Sequence, residues 1–402
     1  MQPAQNLFSD EARRNPYPIY AHLREHSPVL REPHSGLWMV FDYAGVNRVL
    51  TDHETFSSRY GPDWLIFKDP PKHTKLRALI SRAFTPRSVV NLEPRIGELT
   101  RELLDPLVGR GQMDLAGDFS VQLPMMVIAE MLGIPTADCG LFKTWADVIL
   151  DMSYTVVPGE ERREEAARAT ANFVACTAET ADYLARLLRQ RQTTPGDDLL
   201  TRLAQAEVDG QRLTPEQILG FFQLLLLAGS ETTTNLINNA ILCFIEHPEE
   251  LARVRADPSL LPRAIEEVLR YRSPLQWIYR VAKRDVEMAD GQVLPTGKLV
   301  LAMIGSANHD PRQFPDPERF DVARDPNPHI AFGHGPHFCL GAPLARLEAR
   351  VALTELLGRL KDIRLASDRP WEPRRGLHVH GPSRLPIQFE PPRYHSQHTA
   401  GS

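Results

Sequence analysis

Residues Ile218 to Gly229 form an apolar run about a dozen residues long, and it constrains the fold more than any other stretch. Only Gln223 interrupts it, and Glu231 stands just beyond. A membrane-spanning helix needs roughly 20 such residues. The run therefore predicts a buried core helix in a soluble protein. Thr214-Pro215 opens that helix, because a proline without an N–H fits the first helical position. At 402 residues and 42% hydrophobic composition, the chain can bury a large core around it.

Elsewhere the periodicity is mostly helical. Arg95 to Val108, Glu164 to Arg191 and Leu344 to Leu360 repeat apolar residues at three- and four-residue steps. Strand signals are confined to Leu37–Asp42, Leu299–Ile304 and Gly376–Phe389. Prolines, 34 in all, punctuate the chain, and Asp310 to Pro336 reads as a long, proline-rich meander without periodicity. Such a stretch in a globular chain is more often functional than slack. The pattern predicts a mainly α fold with a minor β component, in a single domain over 1–392, followed by a polar tail at 393–402.

The amino terminus has neither a basic start nor an apolar stretch to act as a signal peptide. The net charge of -5 is mild and mixed, with no basic run to suit nucleic acid. Four scattered cysteines form neither a disulfide framework nor a zinc motif. A reducing cytoplasm fits these features.

One cysteine has an unusual setting, Phe332-Gly-His-Gly-Pro-His-Phe-Cys339-Leu-Gly341, passing into a helix at Ala342-Pro343. Glycines allow a tight turn that presents sulfur and frees backbone N–H groups to point at it. A helix starting just after Cys339 brings its positive dipole end to a negative sulfur. Taken alone, a Gly-rich turn with a cysteine also suits a buried free thiol. The whole string, however, resembles the haem-binding loop of soluble bacterial cytochromes P450, Phe-x-x-Gly-x-x-x-Cys-x-Gly, at every fixed position. The resemblance implies the cytochrome P450 fold, a triangular-prism-like domain holding haem b. Cys339 is then the proximal iron ligand, Phe332 packs beside the sulfur, and His337 bonds a propionate. Cys139, Cys176 and Cys243 read as core filler.

Three further strings follow the family's order. Ala228-Gly-Ser-Glu231-Thr232-Thr lies deep in the apolar helix, where a carboxylate is costly unless used and hydroxyls can bend the helix by back-bonding. It resembles the oxygen-activating stretch, so Glu231 and Thr232 take the catalytic proton-relay roles and Ala228 and Gly229 form the oxygen groove. Glu267-Val-Leu-Arg270 places an acid and a base on one helix face. It resembles the Glu-x-x-Arg element, with Arg319 as the natural third partner. Asp69-Pro-Pro-Lys-His73-Thr-Lys-Leu-Arg77 puts two basic side chains on one helix face. By resemblance His73 and Arg77 bind the propionates, as does Arg280.

The resemblance implies a monooxygenase that inserts one oxygen atom of O2 into a hydrophobic small molecule such as a terpenoid, steroid, fatty acid or polyketide-like compound. No flavin or ferredoxin module is visible, so electrons come from a separate ferredoxin and its NAD(P)H-dependent reductase. Lys72, Lys75, Arg82, Arg346 and Arg350 offer a basic docking face. The pocket is expected from Trp64–Phe67, Met152–Val157, Leu224–Leu227, Trp277–Tyr279 and 378–381, with Trp64, Phe67, Met152, Leu224, Leu227, Trp277, Ile278 and Val379 as its wall. A peroxide-driven peroxygenase and a haem-binding protein without monooxygenase activity are the alternatives. Glu231-Thr232 argues against both.

Overall fold

In the computed structural model, the described residues are 7, 9–32, 36–153, 163–289, 291–366 and 371–391. The expected tail and positions 154–157 of the expected pocket wall lie outside them.

The apolar run sits inside a 32-residue helix, Pro215–Glu246. The Thr214 hydroxyl accepts the Gln217 N–H, and the Gln217 side chain accepts the Thr214 N–H, closing the capping box. At 1.5 Å per residue the helix is about 48 Å long, enough to traverse the molecule. Phe222, Leu226, Ile237, Ala240 and Ile241 on it are fully buried. Against it pack Gln122–Met131, Cys139–Ser153, Arg163–Thr193, Leu261–Tyr271 and Ala342–Arg359. We label the helices used below α1 (Lys72–Ala83), α2 (Gln122–Met131), α3 (Arg163–Thr193), α4 (Pro215–Glu246), α5 (Leu261–Tyr271) and α6 (Ala342–Arg359).

Buried polar residues on α4 bind it to its neighbours. Gln223 accepts the Trp64 indole N–H at 3.1 Å and donates to Thr180 on α3 at 3.0 Å. Asn239 donates to the carbonyls of Arg272 and His380, at 3.0 and 3.1 Å. Each offsets the desolvation of an amide that would otherwise cost about 1–3 kcal/mol.

The β component is a mixed sheet of β1 (Val29–Arg31), β2 (Trp38–Val40), β3 (Phe56–Ser57), β4 (Ile278–Ala282) and β5 (Leu299–Ala302), in the order β1-β2-β5-β4-β3. Only the β2–β5 pair is parallel. The expected carboxy-terminal strand is interrupted. Pro382–Arg384 and Pro386–Glu390 are strands in different sheets, while 376–381 crosses between elements, with Val379 bridged to Leu275. Gly381, at φ +155°, explains the break, since an added Cβ would collide with Asn235.

The meander has no regular elements between Asp310 and His334 and is pinned by α5. Glu267 and Arg270 pair at 2.8 Å with no exposed surface on either side chain. Arg270 donates to the carbonyls of Asn308 (3.0 Å), Pro317 (2.8 Å) and Arg319 (3.2 Å). Glu267 accepts the Asp321 N–H at 3.1 Å. The third charged partner is not Arg319, as the sequence suggested, but Arg324, whose Nε lies 3.1 Å from both Glu267 oxygens. Arg319 contributes its carbonyl, and its side chain turns outward toward Asp321 at 3.7 Å. The turn closed by the Arg324 N–H on the Asp321 carbonyl at 3.0 Å brings the Arg324 side chain back onto Glu267.

Candidate active site

The sulfur loop is closed by its own backbone. Cys339 N–H donates to the Phe332 carbonyl at 2.9 Å, and Phe338 N–H to that of Gly335 at 3.0 Å. Gly333 and Gly335 both stand at φ +73°, a conformation that strains other residues. An added Cβ at Gly335 would also press within 3.2 Å of Thr51. Helix α6 starts at Ala342, and the N–H groups of Gly341 and Ala342 point at the sulfur. Burial pushes the Cys339 thiol up, while those two N–H groups, Arg77 and Arg346 push it back. This is a site for an anionic sulfur with a counter-charge still to be supplied, as a metal would supply it.

Beside the loop lies a basic cluster. His73 on α1 is 1% exposed, and neither ring nitrogen has a hydrogen-bond partner among the described residues. Its ring packs on His337 with centroids 3.9 Å apart. Burial, Arg77 and Arg280 together bring His73 down to about 4. His337 comes down to about 3, through burial and then Arg280, His73 and Arg77. Its Nε2 lies 3.1 Å from the Ser58 hydroxyl. Arg280, nearly buried on β4, is lowered to about 10, chiefly by burial. Two arginines beside two buried imidazoles, which the lowered values leave neutral, fit a ligand that carries two carboxylates. A haem with its propionates is such a ligand.

The second element of the site is α4. Leu225, Ala228, Gly229 and Thr232 fall at i, i+3, i+4 and i+7, on one face. That face is half-buried or exposed, although Leu224, Leu226 and Thr233 beside it are buried. Thr232 donates its hydroxyl to the Ala228 carbonyl at 2.6 Å, which leaves its oxygen able to accept on the open face. Gly229 answers a packing need as well as any groove, because an added Cβ would run into Ile128 on α2.

Sequence reasoning missed the partner of Glu231. Arg374 Nη1 lies 2.8 Å from both carboxylate oxygens, and each side chain is 13% exposed. Burial pushes Glu231 up, and Arg374 pulls it back. Arg374 comes from a short hairpin, Glu372–Pro373 with Pro382–Arg384, and no local pattern marks it.

The expected pocket wall divides. Trp64, Leu224 and Val379 are buried. Phe67 is half-buried and stacks between Trp64 and Tyr279. Met152, Leu227 and Ile278 are half-buried. Trp277 is 4% exposed and packs with Tyr20, Met39, Leu301 and Met303. The expected docking face is also reduced. Lys72, Lys75 and Arg82 are exposed, but Arg346 is paired with Glu266 and Arg350 with Glu93, each at 2.7 Å.

A family model described as Cytochrome P450 matches residues 166–374. Cytochrome P450 109 of Bacillus spizizenii is 43% identical over 394 residues, covering 96% of this chain and 95% of its own length. The 6-deoxyerythronolide B hydroxylase of Saccharopolyspora erythraea is 38% identical, covering 97% of this chain and all of its own. Among solved structures, CYP109E1 of Bacillus megaterium in complex with corticosterone superposes with a TM-score of 0.86 at 41% identity, covering 94% of this chain and 100% of that one. The chain belongs to the cytochrome P450 family of haem-thiolate monooxygenases, whose cofactor is haem b.

Proposed function

We propose that this chain inserts one oxygen atom of O2 into an apolar, steroid-, terpenoid-, fatty-acid- or polyketide-like molecule. Electrons come from a separate ferredoxin with its NAD(P)H-dependent reductase. The observation that carries the reading is a buried sulfur met by the Gly341 and Ala342 N–H groups beside a cluster of buried basic side chains, and the half-buried to exposed Leu225–Thr232 face of α4 supports it.

When bound, haem would supply the oxygen activation, which a thiolate ligand favours. Cys339 would hold the iron, with Phe332 beside it. His73, Arg77, Arg280 and His337 would hold the propionates. Thr232 presents a hydroxyl to the open face. Glu231 holds the proton to be delivered, and Arg374 decides how much of it is ionised. The acid and the alcohol are adjacent on α4, about 100° apart around the axis, so they serve two sides of one helix turn. Apolar side chains at Phe67, Leu225, Leu227 and Ile278 keep water from the reacting atoms.

A steroid-like substrate is supported by the apolar wall and by the corticosterone complex of the CYP109E1 relative. A cytoplasmic location is supported by four free cysteines. The test is a library screen of the haem-loaded protein for the spectral shift on substrate binding, followed by turnover of Thr232→Ala. Loss of product per NAD(P)H consumed is expected in that variant. An unchanged ratio would remove Thr232 from the proton path.

A further inference from the structure

Arg346 stands on α6, seven residues after Cys339, with one edge and one face of its guanidinium engaged and its side chain 37% exposed. Its plane lies over the Phe332 ring, 4.6 Å from the centroid. Nε and Nη2 each donate to Glu266 at 2.7 Å. Glu266 also meets His329 Nε2 at 3.0 Å. The other His329 nitrogen accepts the Ala331 N–H at 3.3 Å, so Nε2 carries the proton and donates. Phe332 in turn accepts the Cys339 N–H through its carbonyl. Contacts therefore run without a gap from Glu266 through Arg346 and Phe332 to the residue that carries the sulfur.

A guanidinium spent on a carboxylate fork and an aromatic face is poorly placed to greet a partner protein. It is well placed to act inward. We propose that Arg346, held over Phe332 by Glu266 and His329, is a positioning residue that sets the electron affinity of the thiolate-bound iron. The proposal rests on Cys339 being that thiolate.

The sign follows from charge. One-electron reduction, with the electron supplied by an added titrant, adds a negative charge at the ligated centre. A fixed cation close to that centre favours the reduced state. Arg77 acts on the same sulfur from α1, so Arg346 is one of two such cations. Glu266 is brought down to about 2, because Arg346 and His329 outweigh its burial, and the anchor stays ionised at any working pH.

The experiment is a spectroelectrochemical titration of the haem-loaded protein alone, without a redox partner. At fixed potential, Arg346→Gln should lower the reduced-to-oxidised ratio about three- to tenfold, which is roughly 30–60 mV at 59 mV per decade for one electron. Arg346→Lys should recover part of the shift. Glu266→Gln should shift the parent more than it shifts the Arg346→Gln background, since part of its effect passes through Arg346. An unchanged ratio in Arg346→Gln, with the thiolate band of the carbon-monoxide complex intact, overturns the proposal. A slowdown seen only with a protein electron donor overturns it too, and makes Arg346 a docking charge. Should Arg346→Gln fail to take up haem, Glu266→Gln decides alone, and no shift there overturns the proposal. A parent without the thiolate band would instead sink the assignment of Cys339.

Discussion

Replacing Arg374 with methionine tests the charge state of Glu231 directly. Removing one partner of a buried pair costs about 3–5 kcal/mol. Here each side chain retains 13% exposure, and the orphaned carboxylate can escape by taking a proton. Those two reliefs hold the loss to about 2–3 kcal/mol at alkaline pH. The pH dependence is the sharper signature. Burial already raises Glu231 in the parent, and losing the cation raises it further. Above the parent's value the variant's native state keeps a proton that its unfolded chain has released. The difference ν_U − ν_N then approaches −1, so the variant loses stability relative to the parent as pH rises. The slope reaches about 1.4 kcal/mol per pH unit and ends at the variant's own, higher value. Urea unfolding of the haem-loaded proteins at intervals between about pH 5 and 8 measures it. Glu231→Gln in the same background should abolish the slope. Parallel stability curves for parent and Arg374→Met across that range would refute the reasoning.

The same unfolding assay separates Glu267 from Arg319. Glu267→Gln leaves Arg270 and Arg324 facing each other without an anion and should cost about 3–5 kcal/mol, whereas Arg319→Ala should fall within about 0.5 kcal/mol because only its carbonyl is used. Gln223→Leu strips the Trp64 indole and the Thr180 hydroxyl of a buried partner. It should cost about 1–3 kcal/mol and raise amide exchange in residues 64–68, and unchanged exchange there would count against Gln223 as the tie. His380, brought down to about 3 by burial and then Arg272, refuses a proton that the unfolded chain accepts below about pH 6.5. Stability therefore falls as pH drops from that point, and His380→Gln should make the fall shallower by up to about 1.4 kcal/mol per pH unit.

The parts of this fold that could be read from the chain are those written in local order. The capped start of α4, the glycines flanking Cys339 and the spacing of Glu267 and Arg270 each follow from a few neighbouring residues. The errors share a cause. Arg319 and Arg324 are both arginines near the same prolines, and only the backbone path through the bend decides which side chain returns to Glu267. Trp277 and Ile278 are neighbours on one chain, yet Trp277 sits in one apolar cluster with Tyr20 and Met39 while Ile278, the first residue of β4, packs half-buried against another. Arg374 lies 143 residues from Glu231 and could not be found without the fold.

Helix α4 shows why composition alone cannot locate the chemistry. A helix apolar on every side is expected to be packed on every side. This one is packed around most of its circumference but leaves Ala228 exposed midway along its length, with Leu225, Gly229 and Thr232 on the same stripe. The residues that mark the stripe are unremarkable in sequence: a leucine, an alanine, a glycine and a threonine. What sets them apart is accessibility, since Ala228 is exposed and the other three are half-buried on a helix that is otherwise largely packed. A large flat ligand lying on that face would bury it. Haem is such a ligand, and its binding should therefore protect α4 amides from exchange as strongly as those of the loop that carries Cys339.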